Sequence, residues 1–592
     1  MSEQDTASIV SHIAPFLSKK IPSITSTQID VFARKYLRYL GHLPSLPADL
    51  LNQIEATLLR LRNQHSSRSA NAMDREITPE ALLAEVERDF HKEFISGLNL
   101  YTAPPVSSVQ TGNTSALNAH HFRGNEILKS HKAKELLSRH QHSHSERGNL
   151  LKSSNEALDF SLARPAREDS AVKVVLSEPK YTNFLNVKPA DFSRAFLDRY
   201  ESMETQYKSF FLSKGISLNR IEPHVKSFEK ETVVFGRITL DSEGDLALER
   251  AAFEMISTSG KVVNCLLSFA TCTQDFTLFP NMYIAVEVEG DFYDEDNCLR
   301  VKRIYELDSH LDADEESISA SGTVEEKCTI LAFRGPYTFD GNAYFAGFDL
   351  VLYHVREAKP THVILMGPFI PEDQTTTNCE LEFESILTYQ DIRSKNLERL
   401  HEELYKINNF IQLIIVPDPS EADNHFPCPT PNKIATSFKP DFPRPTMLSS
   451  PGLFSLFGRL NIAVCTHDLF KAVSRYPHFS SNQSKVKRFV HAMRSVVSQH
   501  NLHPAFPVFY PFDVTQIASL DFTRDTAPAI FIIPSSLTTF ACKSRGTLIC
   551  NGKSVFEGGS EFGSFIRISV DTGRLNSFER IDRCVRVDIV QI

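Results

Sequence analysis

Two loops in the second half of the chain carry residue types that can bind a metal or move a proton. Pro417-Asp418-Pro419-Ser420-Glu421-Ala422-Asp423-Asn424-His425 sets Asp418, Asp423 and His425 close together, and Thr466-His467-Asp468 places an imidazole beside a carboxylate. Carboxylates hold hard cations and imidazoles complete the shell, so either loop could serve a metal site or general acid-base chemistry. The same residue types also cap turns through hydrogen bonds to nearby backbone. Three companion loops decide between these uses. They read Arg334-Gly335-Pro336-Tyr337, Gly367-Pro368-Phe369-Ile370-Pro371 and Pro534-Ser535-Ser536-Leu537. Proline has no side-chain donor, and these loops contain neither carboxylate nor imidazole.

Other candidates are weaker. His120, His121, His131, His140, His142 and His144 cluster, but irregularly and without cysteine, so a solvated linker is expected there. The ten cysteines are scattered with no CxxC pair, which excludes a zinc ribbon and predicts reduced, packed thiols. The sequence therefore nominates no catalytic, cofactor-binding or metal residue.

The elements that must position these loops follow from periodicity. From residue 328 onward, short apolar runs at 329–333, 362–366, 413–416, 462–465 and 530–533 each end in one of the five loops. Helical patterns at 349–358 and 391–405 separate several of them, and further strands are expected at 547–550 and 564–570. This is α/β organisation, in which ligand chemistry sits beyond the carboxyl ends of the strands. Upstream, strands expected at 232–240, 261–269, 282–288 and 299–305 have the spacing of a small barrel, and a five-stranded OB-type fold over 225–308 is the natural reading. Residues 282–289 alternate apolar groups with acids, predicting an acidic outer face that would repel phosphates. An acidic connector at 309–327 joins the two parts.

The first 95 residues predict a bundle of four short helices. The last begins at Thr78-Pro79-Glu80, where Thr suits the N-cap and Pro the first turn. A flexible linker at 96–160 and a helical lead-in at 161–224 complete the order. The 592-residue chain carries a net charge of −10, which argues against a surface built to wrap nucleic acid and predicts weak or indirect DNA contact. No basic-then-apolar leader and no membrane-length apolar run is present, so a soluble intracellular protein is expected.

The order of the five loop motifs resembles the B subunits of replicative DNA polymerases, which descend from calcineurin-like phosphoesterases. In active phosphoesterases the corresponding loops read Asp-x-His, Gly-Asp-x-x-Asp, Gly-Asn-His-Asp and Gly-His-x-His. They hold two metals about 3.5–4 Å apart. Here the first motif is Phe333-Arg334-Gly335-Pro336. The second keeps Gly367 but has Pro368 and Pro371 at its acidic positions, and the last has lost both imidazoles.

The resemblance covers about residues 225–592. Gly367-Pro368-Phe369 is similar to the alpha and delta B subunits, and the segment from Ile77 to Phe90 resembles the last helix of the helical domain in the alpha B subunits. The family's Asn-Pro-Gly reads Asn551-Gly552 here, and its Pro-Gly-Gln reads Pro280-Asn281-Met282. The resemblance implies a multidomain α+β chain: helical bundle, OB barrel, and phosphoesterase-like domain (328–592) with a degenerate site. It also implies a nuclear, non-catalytic scaffold without cofactors. Its partners would be the catalytic subunit of DNA polymerase alpha, primase subunits through the complex, and replisome proteins through the N-terminal bundle. A delta-type member of the family, a metal-dependent phosphodiesterase and a single-strand binder are the alternatives.

Overall fold

The computed structural model describes residues 148–592 except 166–170, 177–178, 180–186, 222–231, 241–250, 290–297, 308–321, 339–344, 373–387, 424–425, 433–437, 476–477, 480–484, 545, 558–560 and 577–579. The chain divides into two units, Met1–Ala116 and Leu117–Ile592, and every described residue belongs to the second. The expected bundle at 1–95, the His-rich tract and His425 lie outside the described residues.

Five strands close into a ring. Thr232–Thr239 runs antiparallel to Ala251–Ile256, which runs antiparallel to Val262–Ser268. Val262–Ser268 is parallel to Cys298–Tyr305, which lies antiparallel to Tyr283–Val288. Tyr283–Val288 then pairs with Thr232–Thr239 and completes the circuit. Sequence patterning predicts four of these strands and misses Ala251–Ile256. That strand is short and built largely of residues with little β preference, yet Ala251, Phe253 and Met255 alternate into the core. Gly236 makes room for Phe253: a Cβ there would stand 2.4 Å from its ring.

Helix Pro189–Leu212 covers one flank of the ring. It starts with Pro at the first turn and Asp191 accepting from the Lys188 N–H at 3.2 Å, and it buries Tyr200, Met203, Tyr207 and Phe211 at helical spacing. The Tyr207 hydroxyl bonds the carbonyls of Tyr283 and Tyr305, each at 3.1 Å. This helix corrects the expected acidic outer face. Tyr283–Val288 is buried along its whole length, with one face in the ring and Tyr283 and Ala285 packed with Tyr200 and Tyr207 of the helix. Glu287 is itself buried and pairs with Lys302 at 3.0 Å and the Tyr305 hydroxyl at 2.9 Å.

The rest forms two stacked sheets. The first runs in the order Leu150–Ser154, Val585–Gln591, Ser564–Asp571, Glu326–Arg334, His362–Met366, Gln412–Val416, Thr446–Met447, the last four parallel. The second runs Phe540–Ser544, Thr547–Asn551, Ile530–Ile532, Leu460–Val464, Gly452–Leu456, Lys173–Val174. Ile330, Ile364, Ile414, Ile462, Ile530 and Ile568 fill the space between them. Each such side chain contributes about 1.5–3 kcal/mol by leaving water. Helices Ala346–Ala358 and Tyr389–Ile407 cover the outer face of the first sheet. Helices Leu469–Ser474 and Lys485–Val497 share a core with the second sheet and with the ring.

Strand Leu150–Ser154, within the expected linker, pairs with Val585–Gln591, and the Ser153 hydroxyl donates to Asp588 at 2.6 Å. Gly322–Thr323, within the expected connector, pairs with Leu158–Asp159, and Glu326 opens a central strand.

Ring and sheets are joined by polar clamps. The Gln499 amide accepts from Tyr283 N at 2.8 Å and donates to Tyr283 O at 3.0 Å. Asn281 donates to Pro504 O at 2.9 Å, and Arg199 bonds both Asp521 and Gln499 O. Among the described residues no helix is long and apolar enough to cross a membrane.

Candidate functional site

The five loops named from sequence follow the carboxyl ends of five strands and meet one another. Gly335 N–H donates to Met366 O at 2.9 Å, and a Cβ on Gly335 would fall 1.8 Å from Pro368 O. Gly367 N–H donates to Val416 O at 2.9 Å, with Asp418 so close that a Cβ on Gly367 would lie 2.8 Å from its Cβ. Both glycines are there for loop contact.

Asp418 is buried, and its Oδ1 accepts from Ser420 N at 2.9 Å and Ser420 Oγ at 2.5 Å. Burial pushes its carboxyl above the usual range, against the pull of the Arg334 guanidinium. Its Oδ2 is buried without a hydrogen-bond partner. Asp423 is not part of this cluster. It forms a two-toothed pair with Arg393, whose Nη2 stands 2.8 Å from Oδ2.

Glu421 is the residue that sequence reasoning passed over. Its Oε2 accepts from Phe369 N at 2.7 Å and its Oε1 from Ile370 N at 2.9 Å, tying the second loop to the third. Burial pushes its carboxyl up to about 7, with Arg393 and the two amides opposing. No local spacing signals this bond, which spans some fifty residues of chain.

His467 is fully enclosed. The Thr466 hydroxyl donates to Pro417 O at 2.7 Å, so the Ser450 hydroxyl, 2.6 Å away, donates to Thr466. Ser450 Oγ is then left to accept from His467 Nδ1 at 3.2 Å, and His467 Nε2 takes the Thr430 hydroxyl at 3.3 Å. The imidazole is therefore the neutral Nδ1–H form, and burial holds its pKa well below the ordinary value. Thr430 and Ser450, each followed by proline, are buried in this network, which removes both as sites for a proline-directed kinase.

Asp468 spends its carboxylate on backbone. Oδ1 caps helix Leu469–Ser474 through Lys471 N at 2.9 Å, and Oδ2 accepts from Ser536 N at 3.0 Å and Ser536 Oγ at 3.1 Å. Asn551, where the family pattern is altered, accepts from Ser535 N at 2.8 Å and donates to Thr538 O at 2.9 Å. It fixes the fifth loop. His503 and the Tyr510 hydroxyl are in contact beside His467, and burial lowers the His503 pKa to about 4. Cys428 and Cys465 are buried nearby, and burial raises both thiols. Among the described residues no three His, Cys, Asp or Glu side chains are arranged to hold a metal ion.

A cavity of about 370 Å³ lies at the start of the strand Glu326–Arg334, away from these loops. Lys327, Arg567 and Arg586 line it together with Asp159, Glu357 and Asp588. Asp588 takes Arg586 at 2.9 Å and Arg567 at 3.0 Å, so the opposed charges largely satisfy each other.

Comparison with known proteins agrees with the loop order. Residues 330–542 match the model of the family of DNA polymerase alpha/epsilon B subunits. The DNA polymerase alpha B-type subunit of Caenorhabditis elegans is 23% identical over 333 residues, 55% of this chain and 54% of that protein. The similarity thus spans about half the length of that relative. Over residues 330–542, then, the chain is similar to the DNA polymerase alpha/epsilon B subunits.

Proposed function

We propose that this chain is a non-catalytic accessory subunit of DNA polymerase alpha, a scaffold for the complex that makes and extends primers. The observation that carries the reading is the fate of the five strand-end loops. In a two-metal phosphoesterase such loops aim carboxylates and imidazoles at cations. Here Asp468 caps a helix and a serine loop, His467 is locked between two hydroxyls, and Glu421 holds backbone amides. The polar groups that remain bind the loops to each other.

In this reading the closed ring is an OB-type barrel and the two stacked sheets are a phosphoesterase-like domain whose site is retired. The polar clamps between them favour a single rigid body that presents a surface to a partner. That partner is the C-terminal domain of the catalytic subunit of DNA polymerase alpha, with primase subunits held through the complex. Replisome proteins would be recruited by the expected N-terminal bundle, whose small apolar faces suit helix-in-groove binding. A nuclear location follows from this role.

Co-expression tests it. The full chain should copurify with the C-terminal domain of the alpha catalytic subunit as a stable heterodimer. Failure with alpha's domain and success with delta's would assign the chain to the other complex.

A further inference from the structure

We propose that Arg334 is the resident counter-cation of Asp418, standing where an active phosphoesterase would hold a divalent metal. The sheet brings the two together. Arg334 pairs in register with Met366, and Met366 with Val416, two residues before Asp418. Gly367 is the residue between them, and its lack of a Cβ lets Asp418 press against the second loop. Both side chains keep an unspent buried atom: Arg334 Nε and Asp418 Oδ2 have no hydrogen-bond partner. Of the groups that act on the Asp418 carboxyl, Arg334 is the cation, Ser420 supplies hydrogen bonds, and Asp468 is a second carboxylate that repels it.

A buried carboxylate needs a compensating charge, and removing that partner is costly because the remaining charge stays behind in a poorly hydrated place. In a two-metal site the metal supplies the compensation. The first loop here has exchanged its metal-binding acid for a guanidinium, so the charge balance survives without an ion. The sense in which Arg334 replaces a metal rests on the phosphoesterase ancestry proposed above; the pairing with Asp418 rests on the sheet register, on the two unpartnered buried atoms and on the pull of the Arg334 guanidinium on the Asp418 carboxyl.

A double-mutant cycle on the full chain tests the pair: Arg334→Met, Asp418→Asn, and both together, followed by thermal unfolding at pH 5 and pH 8. Asparagine keeps an oxygen for Ser420. Burial holds the Asp418 pKa above its unfolded value, so the folded chain binds more protons and stability falls as pH rises between the two. Losing Arg334 raises that pKa further and extends the fall. Arg334→Met should therefore lower the unfolding temperature by several degrees, more at pH 8 than at pH 5. In the Asp418→Asn background the same change should cost much less, and its pH dependence should vanish. Equal costs in both backgrounds at both pH values would overturn the proposal while leaving the accessory-subunit reading intact, since that reading fails only in copurification.

Discussion

Two buried polar networks in this chain do different things with the same residue types. At the seam between ring and sheets, Gln499 completes both backbone groups of Tyr283 and Asn281 reaches across to Pro504 O. Asn501 bonds Ile517 O at 2.8 Å and Asp521 at 2.7 Å, and accepts from His503 N at 2.7 Å. The seam leaves guanidinium nitrogens unpartnered, Arg199 Nε among them, but satisfies the backbone it spans; at the strand ends a carboxylate oxygen, Asp418 Oδ2, is left without a partner, as is Arg334 Nε. A network assembled for stability satisfies its buried acceptors, because each buried orphan costs about 1–3 kcal/mol. On the function proposed above, the strand-end network is what remains when a site laid out for another purpose is tied shut with the groups at hand.

The largest expected effect lies at the seam. Gln499→Leu strands Tyr283 N inside the ring wall and leaves Tyr283 O to the Tyr207 hydroxyl, and unfolding in urea should show a loss of about 2–4 kcal/mol. A loss below about 1 kcal/mol would mean that the seam is not the stronger of the two networks. Next is a pH effect at the strand ends. Glu421 has a folded pKa of about 7, above its unfolded value, so the folded state binds more protons and stability falls as pH rises from about 4.5 to 7. The loss across that window is roughly 2–3 kcal/mol, and Glu421→Gln should flatten it. Unfolding curves at pH 5 and pH 7.5 check this, and an equally steep fall in the variant would remove Glu421 as its source.

Asp468→Ala removes a helix cap and the anchor of the fifth loop, for an expected cost of about 1–2 kcal/mol by thermal unfolding. The smallest effect belongs to neither network. Phe410 is 79% exposed, and Phe410→Ser should change stability by no more than about 0.5 kcal/mol, the control against which the others are read.

The strands that position the loops were plain in the sequence because they are apolar runs closed by Gly or Pro or, after 462–465, by Thr-His-Asp; His362–Met366 begins and ends where the pattern does. The barrel strand Ala251–Ile256 was not, since two alanines and a glutamate carry little signal when packing decides the strand. Within the site, that Arg334 and Pro368 offer no metal-donating atom could be read directly, because a side chain that lacks one lacks it in any fold. What Glu421, Asn551 and Gln499 do could not. Each bonds backbone that lies 13 to 216 residues away in the chain, a distance at which local patterning says nothing. The acidic face predicted for residues 282–289 failed for the same reason: a helix from residues 189–212 covers part of it.

The most direct test of a retired site is hydrolysis of bis(4-nitrophenyl) phosphate by the purified full chain with millimolar Mn²⁺. The account predicts no turnover above that of buffer and metal. Metal-dependent turnover in the wild-type chain that disappears on Asp418→Asn would contradict it.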